Sequence, residues 1–298
     1  MPKMPSSALL GASVVVLPVL LLAGAGSGMQ PATGPLTGPA LIPAPPAIGT
    51  PAAVSAVSVP GVVIPAAAPA PVTPVRGVVT PAAVPARTVD AVHAATEAAL
   101  EALSSRVGRT SSDDALYHAF EAYYRYRDEN SDKVRKPYFY FVDLGLNNGT
   151  PRGWVFDMDA LRIVDGPFTV AHGRGSSQGR NGVPTKFSNR PGSYASSLGL
   201  YLAQETYTFR SSSYSSVGLR MKGESGEFND AARARGIVAH GAPYVTRSDA
   251  GRSEGCPAME MERARRLLPM LSNGGVVFIY SPRDPRWLES DPWLQGDD

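Results

Sequence analysis

Apolar positions recur at helical spacing in two segments that begin after residue 88. The first predicts a helix over about 89–106, which Thr88 is suited to cap. A second helix is predicted after Ser111 and Ser112, which precede two aspartates and suit a helix start. Its apolar positions recur at i, i+4, i+7 and i+8: Leu116, Phe120, Tyr123 and Tyr124.

After Asn130 the pattern changes to short aromatic and β-branched runs separated by turns rich in glycine and serine. The runs predict strands at 138–142, 154–158, 161–164, 168–170, 198–202, 206–209, 217–221, 236–240 and 276–280. A long polar loop over 171–195 interrupts them, and long loops inside a domain tend to carry function. The predicted fold class is mainly β with helical additions, two of them in front.

The first 88 residues have a different composition. They contain 17 of the 28 prolines, no acidic residue and no aromatic residue. Over 26–88 this composition predicts a disordered Pro/Ala/Val-rich linker of extended, polyproline-like character. The interpretation as an inert spacer is favoured over that of a ligand for a proline-binding domain.

The N-terminus has the features of an export signal. Lys3 precedes an apolar run from Leu9 to Leu22, and the small residues Ala23, Gly24 and Ala25 offer a cleavage site. A signal peptide over 1–25 is therefore expected, and with it a periplasmic or cell-envelope location. The alternative is an uncleaved anchor, which would tether the chain to the inner membrane.

Overall composition excludes several classes of protein. A single cysteine cannot form an intramolecular disulfide, a CxxC redox site or a four-cysteine zinc site. A net charge of +2 over 298 residues argues against an electrostatic nucleic-acid binder. The segment after residue 88 carries balanced charges and is long enough to bury a core as one domain.

Candidate chemistry centres on Cys256, which follows His240 by sixteen residues. Pro257 suits the first position of a helix, which would run until Pro269 disturbs it and would make Cys256 its N-cap. The helix dipole would then lower the thiol pKa. Backbone N–H groups of Gly255 and Cys256 could form an oxyanion hole, with His240 as general base.

Other interpretations stay open on spacing alone. A lone cysteine is commonly a small buried hydrophobic residue. A zinc site built from His172, His240 and Cys256 would lack any standard paired spacing. A papain-like protease is disfavoured because its cysteine precedes its histidine. His118, on the second helix, is interpreted as a surface or packing histidine.

Three segments resemble a known family: RPGSYASSLGLYLAQETY, LRMKGESGEFNDAARARGIVAHGAPYV and GRSEGCPAM. They are similar to YkuD-like L,D-transpeptidase catalytic domains, and most of all to the branch that carries S-x-G-C-P. The resemblance covers about 137–282. The specific signal is the combination of His-Gly with Ser-x-Gly-Cys, since either half alone would be weak.

The resemblance implies a β-rich fold and an exported enzyme that acts on peptidoglycan stem peptides. Such enzymes cleave the bond after the third residue of a tetrapeptide stem, release D-Ala and hold the stem as a cysteine thioester. A second stem then accepts the acyl group in a 3–3 cross-link. By position, the resemblance makes Cys256 the nucleophile and His240 the base, with oxyanion N–H groups from Gly255 and Cys256. Ser253 supports the turn. No cofactor or metal is implied, and we expect a monomer.

Secondary candidates for substrate binding are Gly241, Tyr244, Ser196, Ser197, His172 and Arg220. Alternating residues of one strand would be divided between core and cleft, and packing in the core or at a sheet edge is weighed equally for Tyr244 and Arg220. Gly241 could also supply a backbone carbonyl that orients the histidine. The basic residues of the 171–195 loop, among them Arg174 and Arg190, are further candidates for a stem carboxylate.

The chain departs from the family at two positions. Glu254 stands where many members have histidine, and Ala258 where many have arginine or asparagine. A carboxylate facing the thiolate would raise the cysteine pKa. We therefore expect Glu254 to point outward or to pair with Arg252 or Arg247.

Two other functions are weighed against transpeptidation. Water as the acyl acceptor would make the protein an L,D-carboxypeptidase or endopeptidase, and loss of catalysis would make it a cell-wall binding module. The expected organisation places a helical N-terminal extension at 89–136 before a catalytic domain at 137–282. A C-terminal tail follows at 283–298.

Overall fold

The computed structural model describes residues 89–179, 182–211 and 213–295. The predicted signal peptide at 1–25 and the predicted linker at 26–88 lie outside these residues. The helices are α1 (Val89–Val107), α2 (Ala115–Glu129), α3 (Met261–Leu271) and α4 (Pro285–Ser290), with a short 3-10 turn at Gly226–Phe228. No helix in the described ranges has the length and apolar character needed to cross a bilayer.

The strands carry the larger part of the fold. They are β1 (Tyr138–Asp143), β2 (Gly153–Asp157), β3 (Arg162–Phe168), β4 (His172–Gly173), β5 (Gly199–Arg210), β6 (Ser215–Gly223), β7 (Val238–Gly241), β8 (Arg252–Ser253), β9 (Ala258–Met259) and β10 (Val276–Tyr280). The mainly β class with helical additions is confirmed. The runs predicted at 198–202 and 206–209 form one long strand, β5, with an irregularity between Ala203 and Thr206.

Eight strands form one mixed sheet in the order β3-β2-β1-β10-β5-β6-β7-β9. Within it, β1 pairs with β10 and β7 pairs with β9 in parallel, and the other pairs are antiparallel. A separate parallel pair joins β4 to β8. The last strand along the chain, β10, therefore lies in the middle of the large sheet.

Helix α2 packs on this sheet through aromatic rings. Phe120 meets Phe156 edge to face at 5.4 Å between ring centroids, and Tyr123 lies 5.1 Å from Phe139. Such pairs add to the stabilisation that burial already supplies. Both predicted front helices are present, and the apolar stripe of α2 belongs to the same core as β1 and β2.

The start of α2 differs from the prediction in its capping. Asp114 occupies the N-cap without a side-chain cap bond, and the helix begins at Ala115. Ser111 instead binds the buried Asp143 carboxylate through its backbone N–H at 2.7 Å and its hydroxyl at 2.6 Å. The serine therefore fastens the loop to the end of β1. His118 stacks on the ring of Tyr280 at 6.0 Å, which confirms a packing role.

The helix that was expected to begin at Pro257 begins four residues later, so this prediction was wrong. α3 begins at Met261, with Glu260 at its N-cap, because Ala258 and Met259 are held in β9 by pairing with β7. Strand pairing with a distant segment therefore overrides the local preference of proline for a helix start. Pro269 lies inside α3, whose buried face of four residues packs towards β6 and β7: Ala264, Leu267, Leu268 and Leu271.

Candidate active site

Pairing of β7 with β9 brings His240 and the cysteine turn together. His240 lies beside Ala258 in this parallel pair, and its backbone N–H donates to the carbonyl of Pro257 at 3.3 Å. Cys256 comes two residues before Ala258, just ahead of the neighbouring strand β9. His240 and Cys256, sixteen residues apart in sequence, are thus brought onto adjacent backbone segments at the edge of the sheet.

His240 is a buried, neutral imidazole. Its Nδ1 lies 3.2 Å from the carbonyl oxygen of Gly241, a geometry in which Nδ1–H donates and Nε2 keeps its lone pair. Burial lowers the pKa of His240 to about 4. Nε2 is buried, and no described residue makes a hydrogen bond to it. The ring therefore carries an unoccupied proton acceptor inside the protein.

Cys256 is a buried thiol with only 4% of its surface exposed. Burial raises the pKa of Cys256 to about 11, while the backbone N–H of Val238 and the charge of Arg235 act in the opposite direction. This corrects the expected lowering of the pKa by a helix dipole, since no helix starts at the cysteine. The thiol points towards the carbonyl oxygen of Gly236, 3.9 Å from Sγ.

The turn before the cysteine requires a glycine. Gly255 has a φ of +129°, and a Cβ there would lie 2.8 Å from the Ile237 Cδ1 atom. The Ser253 hydroxyl accepts from the Gly255 N–H at 3.2 Å and donates to the carbonyl of Cys256 at 2.6 Å. Ser253 thus closes the turn, and it occupies the N–H of Gly255 that we expected in the oxyanion hole.

A row of residues across four strands forms the wall beside the histidine. Tyr207 pairs with Gly218, Gly218 pairs with His240, and His240 pairs with Ala258. A Cβ on Gly218 would lie 2.6 Å from the Tyr207 ring, so the absent side chain makes room for this ring. Phe209, two residues further along β5, meets the His240 ring edge to face at 5.8 Å.

Several tyrosines lie within electrostatic range of the thiol. Burial is the main cause that raises the pKa values of Tyr207, Tyr214 and Tyr244. The negative charge of a Cys256 thiolate is the second cause. Tyr244 therefore lies within electrostatic range of the cysteine, and its contact with a substrate stays a prediction. Tyr207 and Phe209 were missed, although their alternation along the strand was a usable signal.

Arg220 is one step removed from the site. Its guanidinium lies over the Tyr207 ring at 4.5 Å and pairs with Glu205 at 2.9 Å. It therefore supports the tyrosine and does not itself reach the histidine in this arrangement.

Ser196 and Ser197, expected to bind substrate, are each only 1% exposed. The Ser196 hydroxyl donates to the carbonyl of Gly255 at 3.0 Å and accepts from the Gly173 N–H at 3.0 Å. The Ser197 hydroxyl donates to the Ser188 carbonyl at 3.1 Å. Both serines hold backbone together, and this corrects their assignment to the cleft surface.

His172 is likewise buried and not available to a substrate. Its Nδ1 lies 2.8 Å from an Arg152 guanidinium nitrogen and its Nε2 lies 2.8 Å from the Ser177 hydroxyl. Burial lowers the pKa of His172 to about 3. The side chain anchors β4, which pairs with β8 directly before the cysteine turn. In the described part of the chain, no three His, Cys, Asp or Glu residues are grouped as metal ligands would be.

Glu254 has a partner that the sequence did not indicate. Its carboxylate binds the Arg174 Nε at 2.8 Å, and this replaces the pairing with Arg252 or Arg247 that we expected. The Arg174 guanidinium also stacks on the ring of Tyr194, 3.6 Å from the centroid. The ion pair is about one-quarter to one-half exposed, while the second carboxylate oxygen, Oε2, is buried and has no hydrogen-bond partner among the described residues.

Comparison with known proteins identifies the family of this chain. Residues 108–280, more than half of the chain, match the family model of the L,D-transpeptidase catalytic domain. No curated protein sequence matches the chain.

Among solved structures, an L,D-transpeptidase from Mycobacterium smegmatis aligns with 12% identity and a TM-score of 0.30 over 48% of this chain and 58% of that one. One from Stackebrandtia nassauensis aligns with 16% identity and a TM-score of 0.30 over 58% and 70%. L,D-transpeptidase 3 from Mycobacterium tuberculosis aligns with 14% identity and a TM-score of 0.29 over 48% and 61%.

The chain thus spans 58% of the length of the Mycobacterium smegmatis protein. At these TM-scores the structural similarities add nothing to the assignment, which rests on the match of residues 108–280. On that match, the chain belongs to the L,D-transpeptidase catalytic domain family.

Proposed function

We propose that the protein is an exported cysteine acyltransferase that forms 3–3 cross-links in peptidoglycan. Cys256 would attack the carbonyl of the third residue in a tetrapeptide stem, release D-Ala and keep the stem as a thioester. An amine of a second stem would then take the acyl group. The observation that carries the proposal is the buried His240, whose Nδ1 is held by the Gly241 carbonyl while Nε2 is left as acceptor. Its strand pairs with the strand that directly follows the cysteine turn.

The first step begins from a neutral pair. Burial raises the pKa of Cys256 to about 11 and lowers the pKa of His240 to about 4, so neither is charged at neutral pH. The thiol would rotate from the Gly236 carbonyl towards Nε2 and pass its proton as sulfur attacks. Hydrogen bonds of catalytic groups are often loose before substrate binds. The imidazolium then returns this proton to the leaving amine of D-Ala.

The oxyanion needs backbone donors on the cysteine turn. Since the Gly255 N–H is held by Ser253, we assign this role to the N–H of Cys256 itself. One such donor contributes on the order of 10²–10³ in rate when it is aimed at the developing charge. Ser253 acts by fixing the turn that orients the Cys256 N–H.

The aromatic wall favours an amine over water in the second step. Tyr207 and Phe209 come from β5, and Tyr214 comes from the connection between β5 and β6. Phe209 contacts the His240 ring, and the two tyrosines lie within electrostatic range of the thiol. Apolar surface around a thioester limits access of water. The incoming amine displaces the sulfur: a C–N bond forms, the C–S bond breaks, and a proton from the amine returns to the thiol through His240.

Incubation with a purified disaccharide-tetrapeptide tests the proposal. We expect D-Ala and a cross-linked dimer from the wild type, and neither product from Cys256→Ala. Tripeptide with D-Ala and no dimer would identify a hydrolase instead. Absence of turnover by wild type and variant alike would favour a binding module.

We also propose a periplasmic or cell-envelope location and a signal that is cleaved after Ala25. Cell fractionation followed by N-terminal sequencing tests both, and an intact Met1 in the membrane fraction would identify an anchor. The division at residue 136 between a helical extension and the catalytic domain stays a prediction. Because α2 shares its core with β1 and β2, the fragment 108–282 is the one to compare with 137–282 in folding assays.

A further inference from the structure

Arg235 makes four hydrogen bonds to a single segment, 188–197. Its guanidinium donates to the carbonyl of Ser188 at 2.7 Å, the hydroxyl of Ser197 at 2.5 Å, the hydroxyl of Ser193 at 3.2 Å and the carbonyl of Ala195 at 2.8 Å. Each acceptor is a neutral oxygen. Over the described residues no carboxylate forms an ion pair with this arginine, so its positive charge is not cancelled locally.

The segment that Arg235 holds touches the cysteine turn from one side. The carbonyl oxygen of Ala195 lies only 3.0 Å from where a Cβ of Gly255 would be. The Ser196 hydroxyl donates to the Gly255 carbonyl at 3.0 Å. Displacement of 188–197 would therefore move the support of the turn on which the nucleophile lies.

Arg235 also flanks the thiol from the other side. The next residue, Gly236, presents its carbonyl oxygen to Cys256 Sγ at 3.9 Å. The Arg235 side chain thus connects the backbone at 235–236, which lies beside the sulfur, with the segment 188–197, which supports the cysteine turn. Half-burial limits the screening of its charge by water.

The other groups that face the thiol are neutral, except for Glu254. His240 on β7 is neutral at pH 7. Glu254 opposes a thiolate: one of its oxygens binds Arg174, and the other is buried without a hydrogen-bond partner among the described residues. The remaining titratable groups around the sulfur are tyrosines that burial keeps protonated: Tyr201, Tyr207, Tyr214 and Tyr244. Arg235 is the cation whose charge favours a thiolate at Cys256.

We propose that Arg235 is a positioning residue that clamps 188–197 against the Gly255–Cys256 turn and whose charge stabilises the Cys256 thiolate. The proposal rests on the proposed acyl transfer and deepens it, because negative charge develops on this sulfur as its proton passes to His240. It adds to the candidate active site a residue whose hydrogen-bond partners lie 38 to 47 positions away along the chain. Its two roles, clamp and charge, can be separated by substitution.

The experiment measures the rate of Cys256 alkylation by iodoacetamide against pH, with the mass of the intact full-length protein as readout. Because the chain has one cysteine, the adduct that a Cys256→Ala control lacks reports this site. Arg235→Gln removes the charge, and we expect the profile to move up by about one pH unit, which means about tenfold slower alkylation at pH 8. Arg235→Lys keeps the charge and should restore the profile.

A matched control is Arg106→Gln, which removes the same charge from exposed surface on α1. This helix packs against α2 and β3, and β3 is at the opposite edge of the sheet from β9. The control should leave the profile unchanged. An unshifted profile in Arg235→Gln, or an equal shift in Arg235→Lys and Arg235→Gln, would overturn the role of the charge.

Arg235→Lys alone decides the matter if Arg235→Gln does not fold. Lysine lacks the planar fork, so hydrogen exchange in 188–197 should become faster while the alkylation profile stays in place. Unchanged exchange would refute the clamp, and a shifted profile would refute the charge.

Iodoacetamide needs no stem peptide, so this outcome is independent of turnover of muropeptides. A responsive thiol in a protein without D-Ala release would leave the inference intact and reject the proposed function.

Discussion

The carbonyl oxygen of Gly241 lies 3.2 Å from Nδ1 of His240, the residue directly before it. A backbone carbonyl fixes the tautomer of the ring without adding a negative charge. The imidazolium is therefore not stabilised as it would be by a carboxylate, which agrees with a His240 pKa of about 4. Base and nucleophile wait as neutral groups, and charge appears only during reaction.

Alkylation of Cys256 should rise with pH throughout the range from 7 to 10. With a thiol pKa of about 11, only about one molecule in 10⁴ holds the thiolate at pH 7, and the rate should rise about tenfold per pH unit. Stopped-flow or mass-spectrometric measurement with iodoacetamide checks this. A plateau starting near pH 8 would mean that the thiol is activated in the resting protein.

Replacement of Glu254 by glutamine should change the thiol only slightly. The negative charge of Glu254 acts to raise the pKa of Cys256, so its removal should speed alkylation, by less than the tenfold effect expected of Arg235→Gln. Loss of the exposed pair with Arg174 should cost less than about 1 kcal/mol in the free energy of unfolding. Slower alkylation would show that the acid assists the thiolate, contrary to its expected sign.

Gly218→Ala should push the Tyr207 ring away from its place beside the histidine. A Cβ at 2.6 Å from the ring cannot be accommodated without movement, and overpacking of this kind costs about 1–3 kcal/mol. Urea unfolding measures the loss, and D-Ala release should fall with it. The double variant with Tyr207→Ala removes the collision, so its loss should be smaller than the sum of the two single losses. Additive losses would contradict the proposed contact.

Acid should destabilise the protein through its buried histidines. A histidine whose pKa falls from 6.5 to about 3 on folding, as for His172, binds fewer protons in the folded state between those values. Stability is therefore lost as pH falls below about 6.5, by about 2 kcal/mol at pH 5 for His172 and a similar amount for His240. Asp143 and Asp291, whose pKa values burial raises, act in the opposite direction.

His172→Gln isolates one histidine from these opposing groups. The difference in unfolding free energy between pH 7.5 and pH 5 should shrink by about 2 kcal/mol in this variant. Urea titrations at the two pH values measure it. An acid loss equal to that of the wild type would show that His172 does not titrate with folding.

Long periodic segments could be predicted from the sequence because the spacing of their apolar residues determines which face is buried. The aromatic stripe of α2 and the strand at 276–280 are examples, and both are buried as expected. The start of α3 could not be placed in this way. Pro257 suits a helix start, but pairing of Ala258 with His240, eighteen residues earlier in the chain, determines the backbone there.

Side-chain roles were predictable only where a short motif carried them. Ser253 and Gly255 belong to one turn, and their local bonds follow from their spacing. Ser196 and Ser197 look equally suited to a cleft or to an interior, and only burial distinguishes the two. Arg235 lies in a turn with no periodicity, and its partners all come from a distant segment.

The central position of β10 has a consequence for how the chain must mature. In the part of the chain that the structure describes, β1, β2 and β3 form one half-sheet, and β5, β6, β7 and β9 form another. The two half-sheets meet only through β10. Until Tyr280 has left the ribosome, each half presents an open hydrogen-bonding edge, the kind of edge that recruits other chains. A truncation ahead of Val276 should therefore aggregate and not merely lose activity.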